Sequence, residues 1–363
     1  MVAPQRSMPY VRLGNSGLKV SKIILGTMQY GTSKWQDWVL DEDEAINHIK
    51  AAYDAGINTF DTADMYSNGL SEVILGKAIK QLNLPRDEIV VLTKVYFTVC
   101  RTPSEKIFAS TENPDELGYA NQHGLSRKHI FDSVKHSLER LQLDYVDVLQ
   151  CHRFDTETPI AETMQALHDV VQAGYARYIG MSSCWAYQFH AMQSKSFATM
   201  NKCGLKLHPD YAIQHRLTPF ISVQNHHSLI YREEEREMFP TMKLFGVGCI
   251  PWSPLARGLL TRPLGERTVR GKTDMTISSY IQHESDKEII SRLEEVAGKK
   301  GASMAQIALA WSMGQDAVTA PIVGTTSLKN LMDLLGAIHI KLTPEELKYL
   351  EEPYQPKAVV GHN

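Results

Sequence analysis

Ionisable and hydrogen-bonding residues recur at the ends of short apolar runs. Asp61 lies in "TFDTA" (59–63) with Asp64 directly after it and Tyr66 two residues further on; Lys94 stands in "EIVVLTKV" (88–95) and His152 ends "DYVDVLQCH" (144–152). A lysine buried beside Asp61 would be paired. A tyrosine near that ammonium would ionise below its ordinary pKa of ~10, because a neighbouring cation favours the phenolate. His152 can donate a hydrogen bond to a substrate oxygen. Such a set suits addition of a hydride to a carbonyl carbon, with the proton delivered by Tyr66. Each residue also has an ordinary reading. Asp64 alone reads best as a turn former or helix cap, Lys94 as solvated, His152 as packed or at the surface, and Tyr66 as core. Four such residues at successive strand ends favour the catalytic reading of Asp61, Tyr66, Lys94 and His152.

These residues converge only if the strand ends lie side by side. Eight candidate strands alternate with helical patterns: "KIILGT" (22–27), 59–63, 88–95, 144–152, "ARYIGMSS" (176–183), "ISVQNHHS" (221–228), "GVGCIPWSP" (246–254) and "AVTAPIVGT" (317–325). The intervening helices include one from about Asp43 to Gly56, one over 71–82 with Ser71 as a possible cap, one over 126–141 and one over 160–174 ended by Gly174. Strand–helix alternation implies parallel pairing with right-handed crossovers, and eight units close into a (β/α)8 TIM barrel. An open doubly wound sheet is the rival, but no G-x-G-x-x-G follows the first strand. "VRLGNSGLKVSK" (11–22) reads as an N-terminal β-hairpin before the barrel. Residues 1–363 are expected to form a single domain.

Three segments exceed simple connections: 96–125, 255–285 and the tail 339–363. The first two follow strands and belong on the C-terminal face, where a barrel's active site lies; 96–125 reads as a partly ordered lid. The stretch 201–220 departs from a compact helix-to-strand connection and has no functional reading. Tyr30, Trp35, Trp38, Tyr96, Phe97 and Trp185 are candidate pocket aromatics, favouring aryl or aliphatic aldehydes over highly charged sugars.

Bulk properties narrow the classes. The chain is 43% hydrophobic and 22% charged with a net charge of -3, which argues against nucleic acid or an anionic membrane as main partner. No secretory leader or ~20-residue apolar run is visible. Five scattered cysteines, never in a C-x-x-C pair, argue against disulfides and zinc and fit a cytoplasmic setting. His226 and His227, adjacent on a strand, would point to opposite faces, so they read as packing or pocket residues, not as joint metal ligands. Cys151 and Cys184 read as small apolar filler. Oligomeric state is not readable.

"FDTADMYSNGLSE", "VVLTKV", "DVLQCHRFD", "RYIGMSS", "PWSPLARGLLT" and "PIVGTTSLKNLMDLLGA" resemble, in order, the motifs of the aldo-keto reductase superfamily, from about residue 10 to 350. The nearest resemblance is to the fungal aryl-alcohol dehydrogenase-like branch, which is also similar to the potassium-channel β-subunits. The resemblance implies a catalytic tetrad of Asp61, Tyr66, Lys94 and His152. It implies NADPH as hydride donor, a small-molecule carbonyl or alcohol as substrate, and no metal. Gly26, Thr27 and Met28 would lie against the nicotinamide side; Ser182 and Ser183 would bond its carboxamide beside Gln224, and Trp252 would stack on its ring. Ser253, Leu255, Arg257 and Gly258 would hold the pyrophosphate. Gly324, Thr325, Ser327 and the nearby Lys329 would hold the 2′-phosphate at a helix N-terminus, with Asn330 and Asp333 near adenine. Thr326 stands where members committed to NADPH often carry Arg or Lys, and NADP is still favoured over NAD. The channel-associated relatives supply a second reading, an NADP(H)-binding regulatory or redox-sensing subunit with slow turnover.

Overall fold

A computed structural model of the protein describes residues 8–107, 112–193, 216–266, 277 and 280–362. A two-stranded hairpin comes first, β1 (Tyr10–Arg12) and β2 (Lys19–Ser21), with Tyr10 opposite Ser21. Eight parallel strands follow: β3 (Ile24–Gly26), β4 (Thr59–Asp61), β5 (Val90–Val95), β6 (Val146–Cys151), β7 (Ala176–Ser182), β8 (Phe220–Gln224), β9 (Gly248–Cys249) and β10 (Ile322–Val323). Their spatial order is β10-β3-β4-β5-β6-β7-β8-β9. The two edges meet where Cys249 bridges Val318 in parallel and the Ile322 N–H donates to the Pro251 carbonyl at 2.9 Å. The strands thus curl into the expected (β/α)8 arrangement with helices outside.

Most strands are shorter than the apolar runs that announce them, and β4, β6 and β8 stop before Thr62, His152 and Asn225. β5 and β6 are buried at every position, as strands sandwiched between barrel interior and outer helices must be. Inside, Leu13 and Val20 of the hairpin pack with Ile24, Leu92, Val148, Ile250 and Ala320, so the hairpin plugs the N-terminal end. That fit needs Gly14: at φ 57 its backbone runs so close to Gly246 and Gly248 that a Cβ would meet their atoms at 2.6 Å.

Ten α-helices are present among the described residues: α1 (Glu42–Asp54), α2 (Leu70–Gln81), α3 (Arg127–Leu141), α4 (Ile160–Gln172), α5 (Ala186–Gln193), α6 (Met238–Phe245), α7 (Glu284–Lys300), α8 (Met304–Gly314), α9 (Leu328–Leu335) and α10 (Pro344–Glu351). α3 starts as its sequence suggests, with the Ser126 hydroxyl accepting from the His129 N–H. α2 departs from expectation at its cap. It begins at Leu70 with Gly69 preceding it at φ 94, a conformation glycine adopts cheaply. Ser71 is therefore inside the first turn. Its hydroxyl donates to the Thr27 carbonyl at 2.8 Å and lies 3.2 Å from the Thr62 hydroxyl, tying the loops after β3 and β4 together.

The tail is not a loose extension. After α10, Tyr354 donates to Glu233 at 2.7 Å, and Lys357 pairs with Asp286 at 2.7 Å in near-complete burial. The Val360 N–H then donates to the Tyr231 hydroxyl at 3.0 Å, and His362 sets its ring edge-on to Trp185. This strap crosses the C-terminal rim. Much of the 201–220 stretch (201–215), together with 108–111, 267–276 and 278–279 of the two long loops, lies outside the described residues.

Candidate active site

Asp61 is the last residue of β4, Lys94 lies one residue before the end of β5, and His152 follows β6. Since β4, β5 and β6 are neighbours, the three side chains meet on one rim. Lys94 is wholly buried; its Nζ donates to Asp61 Oδ2 at 2.6 Å, to the Thr62 carbonyl at 2.8 Å and to the Tyr66 hydroxyl at 3.2 Å. Tyr66 reaches this point from the single turn after β4, where Ser67 and Asn68 take φ of 47 and 49. Its ring stands edge-on to His152 at 5.8 Å and packs with Trp35, Trp38, Ala63 and Met65. The four residues singled out from spacing are brought together.

Two glutamines complete the Asp61 shell. Gln150 and Gln224 donate to Asp61 Oδ1 at 3.0 and 2.8 Å, and Gln224 also donates to Gln150 Oε1 at 3.0 Å. Both carboxylate oxygens are therefore satisfied in a dry setting, which a buried charge needs. The sequence reading missed Gln150, although a signal existed. It pairs in register with Lys94 and lies two residues before His152, hence on the same side of its strand.

The electrostatics differ from expectation at Tyr66. Burial raises its pKa above the ordinary 10, and the opposing pull of Lys94 does not reverse it. The expected depression fails because the spacing argument counted the cation and not the desolvation. For Lys94, burial works against the charge, but Asp61 and then Tyr66 outweigh it and hold the ammonium above its usual range. His152 is pushed well below 6.5 by burial, then by Lys94 and Arg153. At neutral pH the site thus holds a neutral phenol, an ammonium and a neutral imidazole. Such a phenol can donate a proton, and such an imidazole can donate a hydrogen bond.

Asp64 sits in the turn 63–66, as expected, but its side chain does not cap a helix. It is fully buried, accepts from Ser133 of α3 at 2.9 Å, and is pushed up to about 7 by burial, then by Glu72. Asn68 anchors the base of the long loop after β5: its Nδ2 donates to the Thr102 and Glu105 carbonyls at 2.9 Å, and its Oδ1 accepts from the Cys100 N–H at 3.2 Å. That loop is fastened to the turn carrying Tyr66. Among the pocket aromatics, Phe97 stands edge-on to His152 at 5.0 Å. Tyr30 does not line the site: it is buried in the main core, edge-on to His48.

Comparison with known proteins gives this geometry a family. Residues 22–355 match the aldo/keto reductase family. The chain is a member of that family. It is 50% identical over 356 residues to a versiconal hemiacetal acetate reductase of Aspergillus parasiticus, covering 97% of this chain and 98% of the relative. It is 46% identical over 361 residues to an aldo-keto reductase of Alternaria alternata, covering 97% and 93%. A Schizosaccharomyces pombe protein with the provisional name aryl-alcohol dehydrogenase is 48% identical over 361 residues, covering 97% of each. The protein is thus an oxidoreductase, of a family that acts on small molecules with a nicotinamide cofactor. No helix among its described residues is long and apolar enough to cross a membrane.

Along the rest of the rim, contacts link Ser182, Ser183, Gln224 and Trp252 among the residues expected to face a cofactor. Ser182 donates to the Gln224 carbonyl at 2.7 Å, and Trp252 Nε1 donates to the Ser183 hydroxyl at 3.1 Å. Trp252 stacks on His226 with centroids 4.3 Å apart, while His227 turns the other way onto Trp311. Ser183, Ser253, Ala256 and Arg257 have φ of 43, 52, 46 and 56, and Gly258 follows at 101. Non-glycine residues held left-handed are costly and cluster at ligand sites. Beyond β10, Ser327 caps α9 by accepting from the Asn330 N–H, and Lys329 and Asn330 are exposed. Asp333 is turned away toward α8, its carboxylate accepting from Ser303 at 2.6 Å. Cys151 and Cys184 are buried beside the site with thiols pushed up by burial.

Proposed function

We propose that this reductase uses NADPH to reduce aldehydes and ketones, aryl or aliphatic aldehydes above all, to alcohols, with Tyr66 as general acid. The observation that carries the reading is the buried ammonium of Lys94, bridging Asp61 Oδ2 and the Tyr66 hydroxyl. When bound, the nicotinamide supplies the hydride that joins the carbonyl carbon. His152 and Tyr66 hold the carbonyl oxygen between an imidazole N–H and a phenol O–H. As charge develops on that oxygen, the phenol proton passes to it, and the ammonium 3.2 Å away stabilises the phenolate left behind. Asp61, held by Gln150 and Gln224, keeps Lys94 charged and aimed. The names of the relatives, a hemiacetal acetate reductase and a provisional aryl-alcohol dehydrogenase, support a carbonyl-bearing aromatic substrate.

The rim fits the cofactor. The turn 253–258, with Ser253, Ala256, Arg257 and Gly258 at positive φ, would present backbone to the pyrophosphate, and the capped start of α9 would offer amides to a phosphate. Ser182, Ser183 and Gln224 would meet the carboxamide, Trp252 would offer the ring face not covered by His226, and Gly26, Thr27 and Met28 would complete that side. Ser253, Leu255, Arg257 and Gly258 would hold the pyrophosphate. Gly324, Thr325, Ser327 and Lys329 would hold the 2′-phosphate with Asn330 near the adenine. Asp333 would need to release Ser303 to join them.

Stopped-flow mixing of apoprotein with NADPH or NADH, followed by 4-nitrobenzaldehyde, tests the reading. Rapid loss of reduced-nicotinamide absorbance with NADPH, and at least about tenfold slower loss with NADH, is expected, the size of one charge-assisted contact. Tight binding of NADPH without oxidation would overturn the reductase reading in favour of a regulatory one.

The ionisation states also fix a pH dependence. A general acid must be protonated, and the Tyr66 phenol titrates above 10. The reduction kcat/KM should therefore be flat through neutrality and fall only on the alkaline side of pH 10. His152, displaced well below 6.5, should contribute no acid limb between pH 6 and 7. A pH–rate profile showing a limb near 6.5 that disappears in His152→Gln would contradict this assignment.

A further inference from the structure

The residue after His152 poses a separate problem. Arg153 is part-buried at the rim, and buried guanidinium groups are ordinarily paired with carboxylates. Among the described residues Arg153 has no carboxylate within ion-pair distance. Its one hydrogen bond is from Nη1 to the carbonyl of His152, at 2.6 Å. Asp155, two residues on, is fully occupied elsewhere: its carboxylate accepts from the Leu125 N–H, the Thr158 hydroxyl and the Glu157 N–H at 2.6, 2.7 and 2.9 Å. A guanidinium has five N–H donors, so most of this one's capacity is unspent.

Its position is what gives that surplus meaning. The guanidinium carbon lies 5.4 Å from the centre of the Phe97 ring, and Phe97 in turn stands edge-on to His152 at 5.0 Å. Phe97 is thus a shared neighbour of the guanidinium and of the imidazole proposed to hold the carbonyl oxygen. The charge of Arg153 reaches the site, favouring the phenolate of Tyr66 and opposing protonation of His152. On the other side the strap passes close by. A Cβ on Gly361 would come within 3.9 Å of Arg153 Nη2 and 3.3 Å of the Trp252 ring. The strap at Gly361, with φ 88, therefore runs against both the guanidinium and the indole.

We propose that Arg153 is a specificity-determining residue that binds an anionic oxygen group, a carboxylate or an ionised phenol, carried by the carbonyl substrate at a distance from its reacting carbon. The proposal rests on the reductase reading for the identity of the carbonyl site and names the substrate class that site prefers. A planar guanidinium matches a carboxylate through two parallel N–H···O bonds, and the substrate would supply the counter-charge that the fold withholds. Phe97 would lie along the ring joining the two ends of such a molecule.

The test compares 4-carboxybenzaldehyde with 4-methylbenzaldehyde in the NADPH-loaded protein and in Arg153→Met and Arg153→Lys. Wild type should favour the carboxylate by kcat/KM, and Arg153→Met should reduce that preference by about 10- to 100-fold. Arg153→Lys should restore part of it, since a point charge replaces a fork. Electronic differences between the aldehydes cancel in the ratio. An unchanged ratio in Arg153→Met, or a fall in rate equal for both aldehydes, would overturn the proposal and leave Arg153 a structural or Tyr66-tuning residue. Titration of the loaded protein with benzoate and benzamide, followed by tryptophan fluorescence, separates this from the wider reading. Benzoate binding that weakens at least tenfold in Arg153→Met supports the anion site even if neither aldehyde is reduced, in which case the reductase reading alone has failed. Equal binding of benzoate by both proteins overturns the site.

Discussion

Tyr66→Phe is expected to lower the rate of aldehyde reduction by about 10²–10⁴-fold, the usual contribution of a positioned general acid. The ring itself is needed for packing: it completes the cluster of Trp35, Trp38, Ala63 and Met65, and phenylalanine keeps it. What is lost is one hydroxyl, 3.2 Å from Lys94 Nζ. Lys94 retains Asp61 and the Thr62 carbonyl as acceptors, so no buried charge is stranded and the melting temperature should change little. The clean measurement is single-turnover oxidation of bound NADPH by 4-nitrobenzaldehyde, with NADPH affinity determined in parallel. Loss of turnover with affinity retained places the defect in the chemical step. Turnover at the wild-type rate would remove Tyr66 as the acid and send the proton through His152 or solvent instead.

Lys94→Met should do more damage, because it removes a charge that another buried charge depends on. Asp61 Oδ2 loses its 2.6 Å partner, and the Thr62 carbonyl loses its donor. Gln150 and Gln224 remain on Oδ1, but they cannot neutralise a carboxylate. Breaking a buried pair from one side costs about 3–5 kcal/mol, and the loss should appear in chemical denaturation as a lower midpoint. Turnover should also collapse, since the phenolate formed at Tyr66 would lose the ammonium 3.2 Å away and keep only the weaker influence of Arg153. The double variant Asp61→Asn/Lys94→Met separates the two effects. Removing both charges should recover much of the lost stability, while reduction stays absent. A wild-type rate in the single variant would take Lys94 out of the mechanism, and a double variant as unstable as the single one would show that the pairing is not what stabilises this part of the barrel.

Much of the architecture is legible before any coordinates. Short apolar runs such as 88–95 and 144–152, separated by amphipathic helices such as 126–141, specify strand–helix alternation, and eight such units call for a closed parallel sheet. Strand ends become neighbours in that topology, so Asp61, Lys94 and His152 can be grouped from their positions alone, with Tyr66 carried in by its nearness to Asp61. Boundaries are less legible. Ser71 looks like a cap and is not, because Gly69 can take the positive φ that starts α2 earlier. The tail looks like a loop and is a helix followed by a strap, because its anchors, Glu233, Asp286 and Tyr231, lie far away in the chain and spacing has no access to them. Arg153 passes unnoticed for the same reason, since a missing counter-ion is a fact about the surroundings.

The sequence by itself determined the strand order, the residues at the strand ends and the family of chemistry they suit, since each of these follows from local periodicity and topology. Only the tertiary structure decided how those residues ionise. A nearby ammonium argues for an acidic tyrosine, yet Tyr66 is held above its ordinary range. The decisive contribution is the removal of water, and that requires apolar groups from several distant segments to close around one hydroxyl.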